Sequence, residues 1–578
     1  MKILLINPIT RAVNIAPERE GVGYPMGIGY IGAFLEKQGH EVTCLDNNQR
    51  CLDKDGLAKF FKSKDFDIVG ISSMANTYNQ VLQLSKYIKE IIGCPIVMGG
   101  ALPTYSAETV LRNMDVDVCV LGEGEETSGE LFGSWPNYEN VHGIAYLDKN
   151  DNYVETKMRI PKMSRDEYPY PGYDGLIDIT KYYRGTMQTW ETHIRDEKLN
   201  KFYFEKLSKI KIGTMVSGMG CPYKCTFCTN STPFMKTRER SPENVAAEAK
   251  YLKETFGIEG IRFDDDLLIL QKNRSMKLAE ELHKAGVYWS GQAVGRSTTD
   301  EELVKKLSES GCVGYGIGVE SGSDRLLKAM MKGSRTVHYQ QSFDLARKYN
   351  MGVRIQVLYG MPGEDRSTLQ ETVDFFKTTK MPPRRFNKLF PMPGSQVYDQ
   401  CIEKEIIKNE HDFLNISSMV SGYTSKSFKF NITDMTDKEF DENLEWAENQ
   451  MYSNYEKMVY RDPLFWYYKI RHYIKKILEF TPILRRIKSA PGLLKNMLIE
   501  KNIGPANEMT MNSVTTIYPE LLPDKDVHGF VNKPLNEERV NKIMSEDKVI
   551  KKPKSSSSLP FLKNKKSSNN RVIIGRSS

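Results

Sequence analysis

Three cysteines, Cys221, Cys225 and Cys228, lie in the run Gly220-Cys-Pro-Tyr-Lys-Cys-Thr-Phe-Cys-Thr229. The spacing Cys-x3-Cys-x2-Cys places three soft thiolate donors on one short loop, which suits an iron–sulfur cluster or zinc. A cubane cluster takes four cysteines. Three leave one iron open to a small molecule. Zinc would need a fourth ligand at a matching distance, and no Cys or His follows closely after Cys228. Three cysteines within eight residues cannot all pair as disulfides.

Further polar groups fall where strands are predicted to end. Asp264-Asp265-Asp266 follows one apolar run; its carboxylates suit an ammonium or a ribose, a divalent cation, or solvent alone. Gln292 and Arg296 follow the next, and a guanidinium is the natural bidentate partner of a carboxylate. In Gly314-Tyr-Gly-Ile-Gly-Val-Glu-Ser-Gly322 the glycines Gly316 and Gly318 lie inside a strand, which marks close approach of a ligand or of backbone. Glu320 and Ser321 close that strand. Nearer the N-terminus, Ser72, Gly99-Gly100 and Gly122-Glu123-Gly124 end three other strands with small residues. Small residues admit a large flat ligand to the backbone, or simply terminate strands.

The elements that must hold these residues form two α/β series. Residues 1–150 read as five strands, Lys2–Asn7, Glu41–Asp46, Ile68–Ser72, Pro95–Met98 and Val118–Leu121, alternating with helices. That alternation predicts a doubly wound parallel sheet of the flavodoxin or Rossmann type, with its ligand at the carboxyl ends of the strands. Residues 151–208 form a connector that holds the turn-rich Tyr168-Pro-Tyr-Pro-Gly172 and then polar helical sequence. Residues 209–400 repeat the strand–helix unit six times, which predicts a partial (β/α)6 barrel with its chemistry at the carboxyl ends. Residues 401–547 read as mostly helical. The basic amphipathic stretches 464–478 and 483–488 suit a lid on the barrel, a lipid or peptide contact, or a membrane surface. Residues 548–578 are a basic Ser/Lys-rich tail expected to be disordered.

The composition agrees with this division. Hydrophobic residues make up 40% and charged residues 27% of 578, the range of a water-soluble globular chain. The net charge of +7 is accounted for by nine basic and no acidic residues from Lys548 onward, so no basic face is expected for nucleic acid. No signal peptide or membrane span is expected. The other six of nine cysteines are scattered, as suits reduced thiols in a cytoplasmic compartment.

The cysteine run, with Phe227 before its last cysteine, resembles the signature of the radical S-adenosylmethionine (SAM) superfamily. The resemblance implies a [4Fe-4S] cluster on Cys221, Cys225 and Cys228 whose open iron is chelated by SAM, and reductive cleavage of SAM to a 5′-deoxyadenosyl radical. It places Phe227, Asp264, Asp265, Gln292, Arg296, Gly316, Gly318, Glu320 and Ser321 around SAM. Gly27-x-Gly-Tyr-x-Gly32, Met98-Gly-Gly-Ala and Leu121-Gly-Glu-Gly-Glu-Glu-Thr127 resemble the cobalamin-binding domain that precedes many radical SAM cores. Cobalamin is then expected against Ser72, Gly99, Gly100, Gly122, Glu123 and Gly124. The usual Asp-x-His-x-x-Gly motif is missing after the first strand, so no His ligand to cobalt is expected. Tyr359-Gly-Met-Pro-Gly-Glu364 and Phe390-Pro-Met-Pro-Gly-Ser395 match turns of the same group. The resemblance implies cobalamin-dependent methyl transfer to an unactivated carbon of a small-molecule, lipid or peptide substrate, with an external flavodoxin- or ferredoxin-type electron donor. Radical cyclisation, rearrangement or oxidation is the second reading, and a cobalamin- or redox-sensing binding protein the third.

Overall fold

In the computed structural model of the chain, the structure describes residues 1–9, 23–182, 207, 210–229, 237–381, 385–419 and 430–460. The loop after the first strand, most of the connector's polar segment, the basic stretches at 464–488 and the tail lie outside them.

The first sheet has seven strands in the order β2-β1-β3-β4-β5-β6-β7. Its parallel part comprises β1 (Lys2–Asn7), β2 (Glu41–Asp46), β3 (Ile68–Ser73), β4 (Ile96–Gly100) and β5 (Val118–Val120). Helices α1 (Met26–Lys37), α2 (Lys54–Phe61), α3 (Tyr78–Ile92), α4 (Ala101–Asn113) and α5 (Gly124–Ser134) accompany it. The run Ile3-Leu-Leu-Ile6 is buried throughout, as a strand covered on both faces must be. The chain order reverses between β1 and β3, which sets the ligand crevice there. Two strands went unforeseen. β6 (Ile144–Leu147) and β7 (Tyr153–Glu155) add antiparallel to β5, so the sheet is mixed.

The second sheet has six strands, all parallel, in the order β8-β11-β12-β13-β14-β15. They are β8 (Lys211–Met215), β11 (Ile258–Phe263), β12 (Tyr288–Ala293), β13 (Cys312–Glu320), β14 (Gly352–Tyr359) and β15 (Asn387–Lys388). A small hairpin, β9 (Gly218–Met219) with β10 (Arg238–Glu239), interrupts the first crossover. The crossover helices are α6 (Pro242–Phe256), α7 (Lys272–Ala285), α8 (Glu301–Glu309), α9 (Asp324–Ala329), α10 (Thr336–Lys348) and α11 (Arg366–Thr379). Their starts are written locally. Ser241, Asp300, Ser323 and Asp365 each accept a hydrogen bond from a first-turn amide, and Pro242 follows Ser241 at the first helical position. Alternate strand residues, Ile261, Phe263, Trp289, Tyr315, Ile317, Ile355 and Val357, are buried under these helices. Their neighbours Arg262, Gln292 and Arg354 are only half-buried and belong to the other face. The result is an α/β chain with a doubly wound sheet followed by a partial barrel.

Helices α12 (Gln396–Glu403), α13 (Glu410–Met419) and α14 (Asp437–Tyr460) complete the described chain. α14 packs on α11, where Tyr359 donates to the Phe440 carbonyl. α13 packs on α3 and α4: Tyr78 and His411 Nδ1 hydrogen-bond at 2.6 Å, and the Asn79 amide donates to Ser418. No described helix is long and apolar enough to cross a membrane.

Candidate active site

The cysteine loop leaves the carboxyl end of β8 and is fixed from four sides. The Gly220 amide donates to Asp266 at 3.1 Å. The Thr226 amide donates to the Met330 carbonyl, and the Thr226 carbonyl accepts from Val397 at the start of α12. Tyr105 of α4 donates to the Thr229 carbonyl at 3.1 Å, so the first sheet's own helix braces the loop. Gly394 has φ +87, and a Cβ there would lie 2.2 Å from the Tyr105 ring; this turn of the second Pro-Gly motif therefore has to be glycine.

Cys225 is buried, and Cys221 and Cys228 are half-buried. Burial pushes the Cys221 and Cys225 thiols up, and Cys228 adds to the effect at Cys221. Lys332 pulls both down. Among the described residues, no three metal-ligating side chains converge closely enough to hold an ion. The loop thus makes the three thiols electrostatic neighbours without closing them on one centre. The donor set fits an iron–sulfur cluster: three soft sulfurs on one tight turn, with a half-buried cation nearby to favour thiolate.

That cation, Lys332, is a functional candidate the sequence reading missed. Its ammonium lies 2.9 Å from Glu320 and 5.6 Å from the centroid of Phe227. Burial alone would lower its pKa, but Glu320, Tyr339 and Cys225 together outweigh this and keep the lysine charged. Glu320 reaches it through an irregular strand end. The β13–β14 register shifts between Gly318 and Glu320, and Glu320 itself takes φ +62. Such a bulge re-aims a side chain. A Cβ on Gly318 would lie 2.1 Å from the Glu320 carboxylate, and one on Gly316 2.2 Å from Gln292. The two glycines make room for protein side chains.

Other expected SAM contacts are committed elsewhere. Asp265 is buried, accepting from the Ser217 amide at 2.8 Å and hydroxyl at 2.6 Å; burial pushes it up to about 6. It ties the chain just after β8 to the chain just after β11. Ser321 is buried against Thr372 and accepts from the Ser323 amide. Asp264 pairs with Arg262 at 2.9 Å. Arg296 stays exposed after β12, with no carboxylate partner among the described residues.

At the first sheet, Ser72, Gly99 and Gly100 are half-buried beside the exposed Met74. Gly100 has φ +103, and a Cβ would lie 2.3 Å from the Ser73 carbonyl oxygen, so only glycine fits. Gly122 donates its amide to Thr104. These three strand ends form a floor without bulky side chains, suited to a flat macrocycle. Gly124 faces inward instead; a Cβ there would meet Ile31 at 2.8 Å. Glu123 is also a correction. Its carboxylate accepts from Arg165 at 2.7 Å and from Arg238 Nε at 2.6 Å, both guanidiniums being buried. It ties the first sheet to the connector and to β10.

Comparison with known proteins agrees with both halves. The profile "Radical SAM superfamily" matches residues 215–376, and "B12 binding domain" matches residues 14–132. The chain is 30% identical to the uncharacterized methyltransferase PH0819 of Pyrococcus horikoshii, over 70% of this chain and 84% of that one. It is 29% identical to cytidylyl-2-hydroxyethylphosphonate methyltransferase of Streptomyces wedmorensis, over 72% and 84%. The structure of the radical SAM methyltransferase TsrM of Kitasatospora setae superposes with a TM-score of 0.58 at 18% identity, covering 70% of this chain and 78% of that one. The chain belongs to the radical SAM superfamily and is an enzyme of its branch that carries a B12-binding domain ahead of the radical SAM core.

Proposed function

We propose that this enzyme transfers a methyl group to an unactivated carbon of a small molecule, using a [4Fe-4S] cluster, SAM and cobalamin. The observation that carries the reading is the brace between the two halves: Tyr105 of the first sheet holds the exit of the cysteine loop at Thr229. A sheet whose ligand floor is tied to the cluster loop suits a reaction that needs both cofactors near one substrate. Cys221, Cys225 and Cys228 would hold the cluster, and Ser72, Gly99, Gly100 and Gly122 would floor the cobalamin site. Bound there, the cluster would supply the electron that cleaves SAM, and cobalamin would carry the methyl group.

The chain's own groups supply the setting. Lys332 keeps a positive charge beside Cys225, which favours the thiolate form a metal requires. The Phe227 ring lies 5.6 Å from that charge, within cation–π range. Arg296 is the group available to a SAM carboxylate at the rim. We further propose an organisation of 1–150, 151–208, 209–400, 401–547 and 548–578, a one-electron donor protein as partner, and a reducing, cytoplasmic setting.

The test is anaerobic reconstitution of the full chain, with iron, sulfide and cobalamin quantified and 5′-deoxyadenosine measured after adding SAM and a reductant. The reading expects four irons, one cobalamin and SAM cleavage. Protein that takes up both cofactors and leaves SAM intact would favour a sensing role instead.

A further inference from the structure

The concave face of the barrel carries charge that the cluster loop does not use. Arg262 on β11 and Arg354 on β14 lie on the strand parity opposite the helix-covered residues. Two strands, β12 and β13, separate them in the sheet, yet Arg354 feels both the Arg262 charge and the Asp264 carboxylate that pairs with Arg262. They therefore approach across the hollow of the curled sheet. Gly314 and Gly316 on β13 add no side chain of their own to that face, and the Gln292 side chain lies over Gly316.

Two guanidiniums share one carboxylate. Arg262 takes it, at 2.9 Å from Asp264. Arg354 has no carboxylate partner among the described residues, and its neighbours depress its basicity: burial first, then the Arg262 charge. Directly beside Arg262 in register, Ser290 is 1% exposed and its hydroxyl has no hydrogen-bond partner among the described residues. An excess cation and an orphaned hydroxyl in one hollow are the two halves of an oxyanion site.

We propose that Arg354, with Arg262 and Ser290, binds an oxyanion group of the substrate, either a carboxylate or a phosphoryl or phosphonyl group. SAM's own carboxylate has another candidate partner, Arg296, exposed after β12. Arg354 is in register with Gly316, four residues below Glu320 at the rim. On β14 itself Arg354 stands three residues before Val357, the partner of Glu320, so its backbone lies below the rim. The substrate's anionic end sits deep, and the carbon to be altered points up toward the rim. Asp264 acts as a positioning residue: it fixes Arg262 and leaves Arg354 as the free fork.

Calling the anion the substrate's rests on the proposed function; the binding itself does not. The test therefore uses full-length protein without SAM and measures thermal melting against methylphosphonate, inorganic phosphate and acetate. Sodium chloride at matched ionic strength is the control. A saturable rise with an oxyanion beyond the salt control is expected. Acetate alone acting identifies a carboxylate, and the phosphorus anions acting identify a phosphoryl-type group. The Kd for the active probe should weaken at least about tenfold in R354Q, the loss of one charge-assisted contact, and less in R354K. Circular dichroism confirms that both variants fold; if R354Q does not, R354K and S290A carry the comparison. No oxyanion outperforming salt, or binding unchanged in the folded variants, overturns the proposal. SAM cleavage measured on the wild-type protein separates this failure from failure of the proposed function.

Discussion

Removing the Glu123 carboxylate should loosen the junction between the first sheet and the barrel. Arg165 and Arg238 are 5% and 1% exposed and Glu123 only 14%, so the trio is a buried ion cluster. Arg165 retains Glu125 after the substitution Glu123→Ala, and Arg238 loses its bonds to Glu123. Deleting one partner of a buried pair costs about 3–5 kcal/mol because the remaining charge stays desolvated. An exposed pair such as Lys162–Glu126 contributes far less, because water screens it. Hydrogen exchange followed by mass spectrometry reads the difference locally. Amides of β10 and the first turn of α5 should exchange on the order of a hundredfold faster or more in E123A. E126A should change them little. Equal protection in the two variants would refute the strut role and return Glu123 to the cofactor floor.

Further outcomes follow from the same geometry. Serine at Cys221, Cys225 or Cys228 should each abolish cluster uptake, read as iron content and charge-transfer absorbance; a variant that keeps four irons would remove that cysteine from the site. G318A should drive Glu320 and Lys332 apart and reduce cluster loading, whereas D300G at the cap of α8 should not, both read by iron content. G100A places a Cβ 2.3 Å from a carbonyl oxygen at φ +103, so cobalamin uptake should fall and the fold weaken by about 1–3 kcal/mol. Glu364 is buried, and burial pushes it up to about 8 from 4.5, although it accepts from the Gly360 and Met361 amides. A carboxyl raised on folding favours the protonated form, so its stabilisation is full below about pH 4.5 and is lost as pH rises through 8. Urea melts at pH 5 and pH 8 should show wild type losing a few kcal/mol relative to E364Q; parallel pH dependence would contradict this.

Much of the scaffold was legible because its signals are local. Ile3-Leu-Leu-Ile6 and Val353-Arg-Ile-Gln-Val357 are strands on apolar content and alternation alone, and the helix starts carry Ser or Asp caps. The edge strands β6 and β7 were missed because four and three residues give too little periodicity. The cysteine loop was legible because its chemistry depends on spacing within eight residues. The polar residues were not. Their position at a strand end is local, but the direction of the side chain is set by distant partners. Glu123 finds its cations 42 and 115 residues away, and Asp265 its donor 48 residues back. Lys332 had no signal of its own, since it meets Glu320 only through a bulge that the sequence does not announce. The hollow of the barrel was partly visible in retrospect. The glycines of β13 alternate with buried residues, and that parity identifies the face on which Arg262 and Arg354 stand.

The central claim is that the two halves of this chain serve one methyl transfer. The most direct measurement supplies SAM with a trideuterated methyl group to the cluster- and cobalamin-loaded protein under strong reduction, and follows the label by mass spectrometry. The account expects the label on protein-bound cobalamin, accompanied by 5′-deoxyadenosine once a substrate is present. Label that stays entirely with methionine while SAM is cleaved would contradict it.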